Sequence, residues 1–493
     1  MVFCHPFLLC LMLCWPFFCP LQVNAKSEFT KQVQSGYEDI LKLKTEKGRG
    51  ILQKALAQDP DNICAILVSN YADCITLLLT EDLTKTEGLI SNQQARISAI
   101  KKIKEKTPYK LFAEAEIHLQ LALCKVKSGN ELQGAWDFRK AYVLLEENSR
   151  LYPEFIPNKK TLGLLHILIG SVPQKYQWIL NSLGFKGNIK QGRAELRQAV
   201  EVKNPFATEA SVIEALVNEY LFKENSQSVT FFKELSAGHP DNLLYHYFYG
   251  SVLKKVKRGD LAIATLTSRP KGKEYLPLPY AHHMLGDLYL YKGETDEAIT
   301  EYELFLKVYK GENYLKNTHY QLYLCHYLNN QPAKAEKHLG TVQKVGKSFL
   351  EEDKYAQEMA LRKNKPNKTL LLARLQSDGG YYVDALQTIN AFNPYKQQQT
   401  PDLLEFYYRK GRIYHSLNEI LLAKANYQKT IELAGKDPLY YAPNSCLQLA
   451  YLFLAEKDTV NARKYFEKAL TYPKHEYKTS IDSKAKIGLA QLD

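Results

Sequence analysis

The strongest constraint in this sequence is an alanine that returns as Ala262, Ala298, Ala335, Ala385, Ala423 and Ala462, in steps of 36, 37, 50, 38 and 39 residues. A small residue kept at near-constant spacing marks a place where two backbones touch, and a recurring touch point makes the chain a stack of similar units. One unit is clearest in residues 280–310, YAHHMLGDLYLYKGETDEAITEYELFLKVYK. Leu285 and Tyr289 sit four apart on one helix face, and Ala298 and Tyr302 do the same on the next helix. Gly286 and Ala298 let the two backbones close, while Tyr289 and Tyr302 fill the space beside them. Gly293 is placed as a helix C-cap and Thr295 as the following N-cap. The glycine position returns as Gly250 and Gly411, with Tyr323, Ala373 and Ala450 in the other units. Four residues after the alanine stand Tyr427 and Phe466, or the aliphatic Leu266, Leu339 and Ile389.

The order L-G-x-x-Y then A-x-x-x-Y resembles a tetratricopeptide repeat (TPR). That resemblance implies an all-α fold, with TPR-like helical hairpins stacked into a right-handed α-solenoid. Residues 161–199 break the pattern and look like the segment that distinguishes the tetratricopeptide repeat protein 39 family. The matching positions are Ser171, Pro173, Gly184, Phe185, Gly187, Gly192 and the apolar Leu162 to Ile169. This second resemblance implies a helical scaffold or adaptor and supplies no site residues. Physically, Leu162 to Val172 reads as a buried helix where two superhelical segments meet; the rival is a membrane-touching patch through residues 162–178, with Trp178 at its end. Lys347 to Lys368, inside the longest step, extends a helix or forms a loop.

The division expected is an export signal at 1–25, an N-terminal helical region at 26–205 with degenerate hairpins, and a repeat array at 206–493. Phe7 to Leu21 is an apolar run followed by Val23-Asn24-Ala25, a small-residue cleavage pattern, which places the protein in the periplasm or cell envelope. Cys64, Cys74, Cys124, Cys325 and Cys446 then remain, odd in number and set in apolar helical patterns, so they read as buried small hydrophobes instead of a disulfide framework. After the signal no uninterrupted apolar run approaches the ~20 residues of a spanning helix. The net charge of +12 is spread through the chain. Its densest cluster, Lys254-Lys255-Val256-Lys257-Arg258, reads as a solvated helix end, and nucleic acid is not an expected partner.

No H-E-x-x-H, G-x-S-x-G or glycine-rich phosphate loop occurs, so the chain reads as no enzyme, with no cofactor and no metal. His282, His283, His319 and His326 read as repeat positions. What remains is a groove lined by the first helix of each unit. Counting from the glycine register, the candidate binding residues are Tyr247, Lys254, His283, Tyr320, Tyr327, Tyr408, Arg412 and Tyr451. An aromatic surface with scattered cations suits a protein or extended peptide held in the concave face. The alternative is a glycan stacked on Tyr320 and Tyr408, in an accessory protein of polysaccharide uptake.

Overall fold

The computed structural model describes residues 29–492 apart from 223, 224, 363, 396–399 and 436. The export signal expected at 1–25 lies outside the described residues. What is described is helical, with no strand among the described residues. The chain divides into two compact units. Unit 1 holds the described residues up to Ile40, with Glu46–Cys74 and Ile90–Ala210; unit 2 holds Leu41–Thr45, Ile75–Leu89 and Ser211 onward.

The expected division at 205/206 therefore misses two short pieces of unit 2. Leu43 is buried with Leu243, Leu278 and Ala281, and its carbonyl accepts the Leu276 amide at 2.7 Å. Tyr309 and Asn313 both donate to the Glu81 carboxylate, at 2.8 and 2.6 Å. Charge-assisted bonds and apolar burial, neither of them visible as a sequence pattern, assign these pieces.

The first nine helices are α1 (Lys31–Leu41), α2 (Thr45–Gln58), α3 (Ile63–Thr80), α4 (Leu83–Lys102), α5 (Pro108–Lys127), α6 (Glu131–Leu151), α7 (Ile156–Gly170), α8 (Gln174–Ser182) and α9 (Ile189–Glu201). After α10 (Ala207–Val217) and a π-helical turn at Asn218–Phe222 come α11 (Asn225–Gly238), α12 (Leu243–Lys255), α13 (Gly259–Thr267), α14 (Pro279–Lys292), α15 (Thr295–Val308), α16 (Leu315–Leu328) and α17 (Pro332–Val342). The rest are α18 (Glu351–Ala360), α19 (Lys368–Gly379), α20 (Tyr382–Asn390), α21 (Thr400–Ser416), α22 (Ile420–Ala434), α23 (Tyr441–Ala455), α24 (Thr459–Leu470) and α25 (Lys478–Ala490).

Unit 2 stacks hairpins in the expected register. All six alanines expose 1 % or less. A Cβ added to Gly250, Gly286 or Gly411 would lie 2.7, 2.6 or 2.8 Å from the side chain of Leu266, Tyr302 or Tyr427. Each large residue is thus seated where the facing helix has no side chain, which is why glycine and the ring occur as a pair. Unit 1 repeats the device in α1 and α2, where a Cβ on Gly36 would lie 2.9 Å from Leu52.

Residues 161–199 are such a hairpin too, and here the sequence reading is corrected. A Cβ on Gly163 would lie 2.8 Å from the Gly192 carbonyl, and one on Gly192 would lie 2.5 Å from the Gly163 carbonyl. Helices α7 and α9 therefore cross backbone on backbone, and α8 is carried in their turn. Leu162, Leu165 and Ile167 are buried within unit 1, so α7 is the buried helix expected, seated in a hairpin of its own.

Three smaller expectations also change. Thr295 is the first residue of α15, not its cap, because its hydroxyl donates to Asn329 at 2.6 Å; Glu294 stands at the N-cap without a side-chain bond. Lys347 to Lys368 contains a helix of its own, α18. Helix α3 is long and apolar enough to cross a membrane, yet Asn70 and Asp73 are fully buried in it and Asp73 pairs with Arg49 and Arg96. Those pairs make it a core helix. The five cysteines are buried, and burial pushes the Cys64 thiol up to about 12.

The polar interior of unit 1 makes one pH effect testable. His166, buried on α7, lies 2.6 Å from Glu195 and 3.0 Å from Glu146. Burial pulls its pKa down, but the two carboxylates outweigh burial and raise it to about 9. The imidazolium's contribution is therefore complete below its ordinary value near 6.5 and is lost as pH rises through about 9. Allowing for the half-exposed Glu146, on the order of 2 kcal/mol should disappear across that window. Urea midpoints compared on either side of it should show the loss, and His166→Gln should flatten the slope.

Candidate functional site

Six helices and three loops of unit 2 surround a cavity of about 780 Å³. Helix α16 supplies Tyr320 and Tyr323, α18 supplies Tyr355 and Met359, and α19 supplies Leu371 and Arg374. Helix α21 adds Asp402, Glu405 and Arg409; the start of α23 adds Tyr440 and Tyr441; Arg362, Lys365, Glu476 and Tyr477 stand in the loops. These positions converge because the first helices of successive hairpins lie side by side, with α18 laid against α16 as an added wall.

The charges on the wall are mostly matched. Arg362 pairs with Glu476 at 2.6 Å, Lys365 with Glu336, and Arg409 with Glu405 at 3.1 Å. Arg409 also donates to the Tyr440 hydroxyl at 3.0 Å and lies 5.3 and 5.8 Å from the ring centres of Tyr408 and Tyr441. Asp437 is occupied in capping the Leu439 amide at 2.8 Å. Arg374 differs: half-buried on the wall, it has no hydrogen-bond or ion-pair partner among the described residues. Burial pushes the phenols of Tyr320, Tyr440 and Tyr441 above their ordinary value, so they stay protonated. Burial disfavours the Arg374 charge, but the Tyr355 and Tyr320 phenols and the Glu405 carboxylate nearby outweigh it and raise its pKa, so the guanidinium stays charged at the cavity wall.

Of the eight residues expected in the groove, Tyr320 lines this cavity, and it exposes 6 % of its surface. Tyr408 and His283 are buried in packing between helices. Tyr408 accepts from Asn444 at 3.0 Å, and His283 lies 3.0 Å from Asn317 among Tyr302, Phe305 and Tyr314. Lys254 is held by Asp287 and lies over the Tyr291 ring. Tyr247 is half-buried, and burial pushes its phenol up to about 12. Tyr327 donates to the Pro366 carbonyl at 2.9 Å, Arg412 is half-buried on α21, and Tyr451 packs on Phe466. The position three before the register residue turns toward the neighbouring hairpin, so it reports packing more than groove. Arg374 directly follows the register residue Ala373, a position from which Arg412 and Tyr451 were taken; extending that count to Ala373 finds it.

The histidines make no metal site: no group of three or more His, Cys, Asp or Glu is arranged for a metal among the described residues. His338 stacks between His319 and His326 at 5.2 and 5.3 Å. Burial and the two flanking imidazoles hold it down at about 4, hence neutral.

Comparison with known proteins agrees with this geometry. A family model described as tetratricopeptide repeat matches residues 279–311, 404–437 and 443–475. No curated protein matches the chain, and the likeness of residues 161–199 to the tetratricopeptide repeat protein 39 family gains no support. Among solved structures, the C-terminal part of a TPR repeat-containing protein from Cytophaga hutchinsonii is 16 % identical, covering 56 % of this chain and 99 % of that one with a TM-score of 0.22. The TPR domain of P58(IPK) is 12 % identical, covering 86 % and 98 %, with a TM-score of 0.21. Neither superposition carries weight at that score, whereas the three matched stretches coincide with the hairpins α14/α15, α21/α22 and α23/α24. Those three hairpins of unit 2 are therefore tetratricopeptide repeats, and the hairpins around them keep the same register.

Proposed function

We propose that this protein is a non-catalytic scaffold that holds an extended segment of a partner protein in the cavity of unit 2, with Arg374 gripping a carboxylate of that segment. The observation that carries the reading is the unpaired Arg374 on a chamber whose other cations are matched. Repeats of this superfamily serve protein interaction, and a guanidinium left without a partner in an aromatic wall gains a charge-assisted bond when an acidic residue enters. The apolar run and small-residue site in residues 1–25 support an exported setting, the periplasm or cell envelope. The glycan alternative needs Tyr320 and Tyr408 as open platforms; they expose 6 % and 3 %, too little to stack a sugar ring.

An array of random peptides tests the proposal. Bound sequences should be enriched in Asp and Glu beside aromatic or aliphatic residues. Replacing acid by amide in a bound peptide should weaken it about tenfold or more, and Arg374→Gln should erase that preference without lowering the melting temperature. An acid preference that survives Arg374→Gln would remove the assignment.

A further inference from the structure

Helix α8 projects from a hairpin that is complete without it. Beneath it the chain closes on itself: a Cβ on Gly187 would lie 2.2 Å from the Gly170 amide nitrogen, and the Asn188 amide donates to the His166 carbonyl at 3.1 Å. The return leg is fixed, with Phe185 buried against Phe138 and Tyr142 and Arg139 donating to the Leu183 carbonyl at 3.1 Å. At its base Gln177 donates to the Val172 and Ile169 carbonyls at 2.7 and 3.1 Å. The excursion is therefore a held feature.

Yet α8 buries none of its described residues. Tyr176, Trp178, Ile179 and Leu183 expose 48, 69, 39 and 47 %. A nine-residue helix has little stability of its own in water, and one that turns tryptophan and isoleucine outward gains nothing from the core. The charge pattern names the occupant. No Asp or Glu occurs between Glu154 and Glu195, while Lys186 and Lys190 stand exposed just beyond α8. Aromatic and aliphatic side chains flanked by cations, with no anion among them, match the headgroup layer of an anionic bilayer.

We infer that α8 docks on an anionic lipid surface, with Trp178 and Ile179 at the acyl boundary and Lys186 and Lys190 among the headgroups. The buried α7 takes no part. This surface is independent of the unit 2 cavity.

The test uses the full chain carrying Trp15→Phe and Trp136→Phe, so that Trp178 is the sole tryptophan. Residues 1–25 have their own apolar run, so Trp178 emission is read instead of bulk binding. Phosphatidylcholine vesicles containing phosphatidylserine should shift that emission to the blue, and bilayer-embedded bromolipid should quench it; phosphatidylcholine alone should do neither at the same lipid concentration. Lys186→Gln with Lys190→Gln should raise the lipid concentration needed by roughly tenfold or more. Ile179→Asp, at an exposed position, should abolish the shift at unchanged helicity and melting temperature. Emission blind to phosphatidylserine vesicles, an equal response to both lipids, or a response that survives Ile179→Asp would each overturn the inference.

Discussion

Replacing Lys160 with methionine is expected to destabilise unit 1 by about 3 to 5 kcal/mol. Lys160 exposes 1 % of its surface, and its ammonium lies 2.8 Å from Glu209, 3.2 Å from Glu116 and 3.0 Å from the Tyr71 hydroxyl. Phe112 and Phe206 close round it, with ring centres 5.8 and 5.2 Å away. Burial pulls the lysine pKa down, but Glu116 and Glu209 outweigh burial and leave it above the ordinary value. The ammonium is thus the counter-charge set against a carboxylate as enclosed as Glu116, which is 3 % exposed. Methionine fills the space but leaves the carboxylates facing each other without a counter-charge. Adding Glu116→Gln and Glu209→Gln to Lys160→Met should recover much of the loss, because the penalty belongs to the unpaired charge and not to the missing pair. Urea unfolding followed by circular dichroism measures both. A single variant within about 1 kcal/mol of the parent would mean that the lysine is not the keystone of this centre.

Tyr302→Ala should cost a similar amount, about 3 to 5 kcal/mol, in unit 2. The ring is fully buried, seated against Gly286, and its hydroxyl donates to Asp287 at 2.7 Å. Alanine would leave an aromatic-sized void between α14 and α15, and the facing glycine has no side chain to relax into it. Tyr302→Phe isolates the hydroxyl and should cost about 1 kcal/mol, since Lys254 still holds Asp287. If the two variants cost the same, the seat on Gly286 contributes nothing and the account of the register fails. Tyr289, the other ring of this hairpin, is half-buried, so its truncation should be milder.

The repeat register was legible because it depends on one local requirement, that helix backbones approach within van der Waals distance, which a small residue announces by itself. Gly286 and Tyr302, or Gly411 and Tyr427, could be paired from spacing alone. The α7/α9 hairpin escaped because α8 separates Gly163 from Gly192 and hides the spacing. Side-chain direction was less legible. Tyr320, Tyr408 and His283 stand at one register offset, yet packing of the next hairpin covers them, and an isolated repeat contains no record of its neighbour.

From sequence alone came the all-α repeat architecture and the identity of the six alanines at helix crossings, since these follow from periodicity and the size of single residues. The tertiary structure decided the rest. It gathered Arg374, Arg409, Tyr355 and Tyr440 from separate hairpins round one cavity and matched every cation there but Arg374 with a carboxylate. It also left α8 outside the core. Each of these outcomes depends on which side chains remain uncovered after the hairpins stack, and coverage is a property of neighbours in space that residue order does not record.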